Sequence, residues 1–580
     1  MKALLQTFLV LFQALAFAQT TTNLNLDFEA EKSDGSPYVW LFNKDSGASV
    51  VCDRASSFEG SKSLHVNTYN NSTKSYLVYN YLPGKYLHEK HYIRITFFVK
   101  TDSSDAPISL LMNQQGKGSV YTSTKYADST LTDGWKRYSV SNTVDTTAER
   151  VLFGVSLGKG EFWIDNVTVT LDETVVNDVP PSPIQLPSSS DLKWLQKNIQ
   201  EINLNSTGTL SPKEISPIEK KLNEVTVLAI GEATHGTHEF FDVKIKLIKL
   251  LVKNYNFKVI AFEAPMDELN EVNKYIVEGI GRISSVVQGR SFYRVYDTKE
   301  VQELIEWLRL ENLTRSKNNK IYFAGIDMQG GNQAVQNIKR YLCSDSALCS
   351  RFQLIGSEYF KLKGRSDWEK FYYRLEDFYK TFLSSELGNS NVENLDRKWI
   401  EQNIKLLMQN ARFRYDKSRE SQFVRDSMMA DNVLWLSQYY HDSKIILWAH
   451  NAHVADWSKA MGAYLFKAMG DRYFSVGLTA ANGVFNVFPP SGTITYPLLS
   501  PTKETFEYYF STFNTPAFIM STHVAREKLK SFLQLSFRSV GTDPTNHQFQ
   551  SLDKNLFQLF DAIIFIKDTT PSFARVKKGD

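Results

Sequence analysis

Glu232-x-x-His235, Glu263, Asp327 and His450-x-x-His453 are the residues whose types and spacing can do chemistry in this chain. Glu232 and His235 sit in Gly231-Glu232-Ala233-Thr234-His235-Gly236, where flanking glycines permit tight backbone turns. A neutral imidazole has an ordinary pKa of ~6.5, so His235 can take a proton from water near neutral pH. A carboxylate beside it, Glu232 or Glu263, would fix its tautomer, while a second histidine and Arg425 would stabilise charge developing on a carbonyl oxygen. That is ester hydrolysis by activated water, with no serine nucleophile and no cofactor. A rival scheme uses Glu232, His235, Glu263, His450 and His453 as nitrogen and oxygen ligands to zinc or another divalent metal. In a third, the crevice captures a ligand without turnover.

Each of these residues follows a stretch that reads as a strand: Val225–Ile230, Lys258–Phe262, Lys320–Gly325 and Lys444–Ala449. Helical patterns at about 238–255 and 298–312 alternate with them, which predicts an α/β domain with a mostly parallel sheet. Ligands bind outside the carboxyl ends of such strands, so Glu232, Glu263, Asp327 and His450 are expected to converge on one crevice. In the first helix Phe240, Val243, Leu247, Leu250 and Leu251 form the packing stripe, with Lys244, Lys246, Lys249 and Lys253 largely on other faces. A helical insertion rich in charge and large aromatics, roughly 357–440, is expected to cover the sheet edge. It carries Arg425, which joins His238, His453 and Asp327 as expected substrate-binding residues. Further strands are expected at Tyr473–Leu478 and Asp561–Ile566.

The 580 residues require more than one domain. From about 20 to 172, short runs rich in Val, Tyr, Phe and Thr alternate with turn residues and predict an antiparallel β-sandwich. Residues 173–190, dense in Pro and Ser, read as a linker, and 191–575 as the domain that holds the crevice. Met1-Lys2, an apolar run to Phe17 and Ala16-Phe17-Ala18 read as a signal peptide over 1–18, which predicts export, secreted or periplasmic. No later stretch is long enough to span a membrane. A net charge of +3, from 66 basic and 63 acidic residues evenly spread, excludes the basic stripe that nucleic acid requires. Cys343 and Cys349 are close enough to close a small disulfide loop if their geometry allows. Gly154-Val155-Ser156-Leu157-Gly158 matches a serine-hydrolase pattern but lies in strand-like sequence with no helix after it. His88-Glu89-Lys90-His91 lacks the second histidine one turn away that a metalloprotease helix needs.

Two resemblances add to this. Leu26-Asp27-Phe28-Glu29 and Phe162-Trp163-Ile164-Asp165-Asn166-Val167 resemble the first and last strands of jelly-roll carbohydrate-binding modules. This resemblance implies a glycan partner and aromatic stacking residues, for which Trp40, Tyr79 and Tyr81 are candidates. The segments Gly231–Phe240, Phe262-Glu263-Ala264, Gly325-Ile326-Asp327-Met328-Gln329, Arg425-Asp426 with Met429-Ala430, and His450-Asn451-Ala452-His453 resemble the erythromycin esterases. Val476-Gly477 with Gly483, and Phe560-Asp561-Ala562-Ile563-Ile564, extend that match over about 192–572. It implies cleavage of ester bonds such as a macrolide lactone, with His235 as general base, Glu263 as its partner, and Glu232, His450 and His453 as polar lining. The sandwich and signal peptide depart from the usual single-domain cytosolic pattern. They direct attention to esters in glycans, glycolipids or secreted metabolites.

Overall fold

The computed structural model describes residues 21–574, except 43–46, 72–73, 88–90, 104, 117–119, 145–146, 180, 182–183, 284–292, 343–345, 388–394, 417–420, 490–491, 541–547 and 551–553. The expected signal peptide, Cys343 of the expected disulfide, and His88-Glu89-Lys90 therefore lie outside the described residues. The chain divides into two compact units, one running to Ile184 and the other from Gln185.

In the first unit, alternating side chains build two antiparallel sheets that share one core. Tyr76–Pro83 shows the pattern: Tyr76, Val78, Asn80 and Leu82 are buried, and the residues between them are half-buried. Trp40 is only 2% exposed and packs against Phe28, Phe97 and Phe153, so it is core and offers no surface to a sugar. Ser156 lies inside the strand Ala148–Leu157, as its surroundings require. The linker expected over 173–190 is shorter. Thr174–Val175 pairs with the strand Glu161–Leu171, Asn177–Asp178 pairs with Thr21–Thr22, and Ser188 caps a helix that starts at Ser189.

The second unit is built on a nine-stranded mixed sheet. Its strands are β1 (Gln200–Glu201), β2 (Val227–Ile230), β3 (Phe257–Pro265), β4 (Tyr322–Asp327), β5 (Lys444–Trp448), β6 (Tyr473–Val487), β7 (Ile494–Pro497), β8 (Ala517–Ser521) and β9 (Ala562–Thr569). The spatial order is β1-β8-β9-β6-β2-β5-β3-β4, with β7 beside β6. Every neighbouring pair from β9 to β4 is parallel, and β8 and β1 add antiparallel partners at the other edge. Parallel strands buried on both faces need continuous apolar runs, and β2, Val-Leu-Ala-Ile, is buried at all four residues. Because β5 inserts between β2 and β3, the carboxyl ends that carry Glu232, His450, Glu263 and Asp327 stand in consecutive strands.

Helix α1 (His238–Asn254) is buried on more faces than one apolar stripe provides, and its Lys244 and Lys246 are buried too. Helix α2 (Lys299–Leu313) packs beside it. The insertion between β4 and β5 starts at Asn332, earlier than the expected 357. The helix Asn332–Leu342 buries Ala334, Val335, Ile338 and Leu342 in a separate core shared with α3 (Arg365–Ser384) and α4 (Leu395–Tyr415). Helix α5 (Ser421–Tyr439) returns the chain to β4 and β5.

Candidate active site

The turn after β2 places Glu232 and His235. Its glycines serve close approach, not a left-handed conformation: a Cβ on Gly231 would lie 2.1 Å from Asn451 Oδ1, and one on Gly236 only 1.9 Å from the Asn486 carbonyl. Asn486 and Ser572 also donate backbone N–H bonds to the Gly236 carbonyl, each 2.9 Å, which clamps the turn from the far side.

Glu232 is fully buried and fully used. His235 Nδ1–H donates to its Oε1 at 2.8 Å, and Lys244 Nζ and Trp448 Nε1 donate to its Oε2 at 2.7 and 3.0 Å. Burial pushes this carboxyl up, but Lys244 and His235 outweigh it and hold it below the usual range. Burial pulls Lys244 down to about 8 against the opposing pull of Glu232, and its Nζ sits 4.5 Å from the centre of the Trp448 ring. The result is a chain of contacts, Lys244–Glu232–His235, that fixes the imidazole tautomer. His235 Nε2 is left as the acceptor nitrogen, with no hydrogen-bond partner among the described residues. Tyr296 stands edge-on to this ring and His450 lies 4.9 Å from it between centroids.

Glu263 is not the carboxylate on His235. It accepts from Arg425 Nη2 at 2.9 Å and from the backbone N–H of His450 at 3.0 Å, and it lies 3.2 Å from His453 Nε2. Arg425, from the first turns of α5, also bonds Asp327 Oδ2 through Nε (3.0 Å) and Nη2 (2.5 Å). Tyr293 donates to the same Asp327 oxygen at 2.6 Å. Burial pushes Glu263 up, yet His453 and Arg425 hold it well below the carboxylate range. His453 Nδ1 is bonded to Asp426 at 2.9 Å. Burial pulls its imidazole down, but Glu263 and Asp426 prevail and push it up to about 10. Arg425 Nη1 also lies 3.1 Å from His453 Nε2, a contact that suits a neutral ring. The two carboxylates flanking the ring decide for the protonated form.

His450, expected among the catalytic groups, is occupied through both nitrogens. Nε2–H donates to the Val540 carbonyl at 2.9 Å, and Nδ1 accepts from the Ala452 N–H at 3.1 Å. Burial, then His235 and His453, push it down to about 3, so it is a neutral wall of the site. His238 stands apart from both networks: it bonds Glu300 at 2.8 Å and packs against Phe573. The hydrogen bond to Glu300 raises its ring above the usual imidazole range, over the smaller opposing effect of burial.

Of the five residues proposed as metal ligands, Glu232, Glu263, His450 and His453 are thus spent on other partners, and His235 offers Nε2 alone. Glu232 faces a lysine, Glu263 an arginine, and His450 the backbone. Among the described residues no group of three or more His, Cys, Asp or Glu side chains is arranged to hold a metal ion. Lys244, Trp448, Asp426 and Tyr293 are the members of the site that sequence reasoning missed. Lys244 carries a readable signal, since it lies four residues after Phe240 and three before Leu247, inside the apolar stripe. Trp448 ends an apolar strand one residue from the Ala449-His450 turn and reads only as core.

Both parts of the chain resemble known proteins. A family model described as erythromycin esterase matches residues 252–569, and one described as a carbohydrate binding domain matches 22–166. A provisionally named hydrolase of Bacillus subtilis (strain 168) is 22% identical over 421 residues, 65% of this chain and 91% of its own. An erythromycin esterase type II of Escherichia coli is 25% identical over 308 residues, 47% of this chain and 72% of its own. The solved structure of a mutant erythromycin esterase in its open conformation aligns with a TM-score of 0.51 at 18% identity, over 65% of this chain and 99% of its own, and so shares the fold.

Proposed function

Because the chain belongs to the erythromycin esterase family, we propose that it hydrolyses carboxylic esters with water activated by His235. One observation carries this reading: Nδ1 of His235 is held by the buried Glu232–Lys244 pair, which leaves Nε2 as a base in a partly open crevice. Water bonded to Nε2 loses a proton as its oxygen attacks the ester carbonyl carbon. The tetrahedral oxyanion then collapses, the C–O bond to the alcohol breaks, and the imidazolium returns its proton to the departing oxygen. Of the five N–H groups of Arg425, three are bound to Asp327 and Glu263, so the Nη1 pair and the His453 imidazolium are the cations nearest to hand for the oxyanion.

The substrate class follows less directly. The relatives' names point to macrolide lactones, whereas the carbohydrate-binding domain and the export signal read at 1–18 point to an ester on a glycan, glycolipid or secreted metabolite. In the N-terminal domain, which we take to be a jelly-roll module, the half-buried Tyr79 and Tyr81 lie edge-to-face on the five-stranded sheet. With Arg150 over Tyr81 at 4.0 Å they form the aromatic surface that a sugar would stack on.

An ester panel that includes erythromycin, acetylated sugars and simple aryl esters, run in H2(18)O with mass-spectrometric detection, tests the reading. The expected result is at least one ester converted to its alcohol and an acid carrying one solvent oxygen. Binding without product would replace hydrolysis by ligand capture.

A further inference from the structure

Helices α3, α4 and α5 line an open pocket of about 470 Å3 whose lining does not include His235, Glu232 or Arg425. Its volume falls in the range of small-molecule sites. Along α5 its lining runs from Ser427, two residues past Arg425, to Gln438.

The floor is a closed amide network. Gln402 Nε2 donates to Asn432 Oδ1 at 2.8 Å, Asn432 and Gln409 exchange bonds of 3.1 and 3.2 Å, and Asn432 Nδ2 reaches the Ile326 carbonyl at 2.8 Å. Such satisfied networks hold a pocket in one shape. The walls bring Tyr379 and Trp435, with Trp435 braced by a 4.6 Å stack on Tyr439. The rim carries charges of both signs. Lys405 is paired with Glu401 at 2.8 Å, a carboxylate that Arg397 shares at 3.3 Å, while Arg412 and Asp431 both lack an ion-pair partner among the described residues.

We propose that this pocket binds one neutral pyranose unit. Flat rings accept the CH face of a sugar, and a vicinal diol accepts from a guanidinium while donating to a carboxylate. A purely apolar ligand would make no use of the Arg412 and Asp431 side chains, and a singly charged one would match only one of the two. The sugar can belong to the ester itself or to a free glycan; both present the same ring.

The test uses the full chain with cellobiose, maltose, lactose and diacetylchitobiose as probes, and benzoate and benzylamine as charged controls. Calorimetry reads affinity and hydrogen exchange reads location. One neutral disaccharide is expected to protect 402–412 and 427–438, and Arg412→Ala, at an exposed residue, is expected to weaken that binding about tenfold. Trp435→Ala should abolish it, with Arg412→Ala keeping the test decisive if the tryptophan variant fails to fold. Tyr81→Ala, on the N-terminal sheet, should leave the protection unchanged. No protection by any neutral disaccharide, protection by benzoate or benzylamine alone, or unweakened binding in Arg412→Ala overturns the proposal. None of these readouts depends on esterase activity, so the proposal stands or falls apart from the hydrolase reading.

Discussion

Replacing Lys244 with methionine isolates what the buried pair does for His235. The lysine is fully buried, and two hydrogen bonds of 2.7 and 2.8 Å through one carboxylate join its Nζ to His235 Nδ1. Losing one partner of a buried pair costs roughly 3–5 kcal/mol, so Lys244→Met should lower stability by about that amount, read by urea unfolding. The change also takes away the cation that keeps the Glu232 carboxylate charged and in place, so Nδ1 of His235 loses its fixed acceptor and kcat/KM should fall. Lys244→Arg restores the charge and should recover part of both losses. A folded Lys244→Met protein with wild-type stability and wild-type kcat/KM would refute the coupling.

Two further outcomes follow from the geometry. Gly236→Ala should displace the turn that carries His235, since its Cβ meets the Asn486 carbonyl at 1.9 Å; activity should fall and unfolding should become easier by roughly 1–3 kcal/mol, while Gly364→Ala, at an extended φ with only an ordinary contact at its Cβ, serves as control. For His453, held at about 10 in the folded state against an ordinary 6.5, the sign runs from acid to base. Its stabilising contribution is full below pH 6.5 and is lost as pH rises through about 10, so the stability gap between wild type and His453→Gln should narrow over that window in urea titrations. A gap that widens toward pH 10 would mean the ring is neutral and accepts from Arg425.

The alternation of short apolar strands with helices is enough to place Glu232, Glu263, Asp327 and His450 at strand ends, because parallel strands must be apolar throughout and their polar neighbours stand out. Pattern alone does not tell which carboxylate serves which cation. Glu232 and Glu263 each follow a strand, and only the insertion of β5 between β2 and β3, with α5 delivering Arg425, assigns Glu263 to the arginine and leaves Glu232 to His235. Lys244 has the spacing of an inward position, but its residue type argues the other way. Lysines in a helix usually mark its wet face, and this one is inward because a buried carboxylate and the Trp448 ring wait there. Both nitrogens of His450 are lost to the Val540 carbonyl and the Ala452 amide, partners that no spacing rule brings into view. Trp40, an obvious aromatic for sugar stacking, lies just before a strand and is instead sealed among three phenylalanines, its indole N–H donated to the Asn25 carbonyl.

The most direct measurement is kcat/KM of His235→Ala on an ester that the wild type cleaves, with and without added imidazole. The account predicts a folded protein slowed by roughly 10²–10⁴, with activity partly restored in proportion to neutral imidazole. Wild-type rates from a folded His235→Ala protein would contradict it.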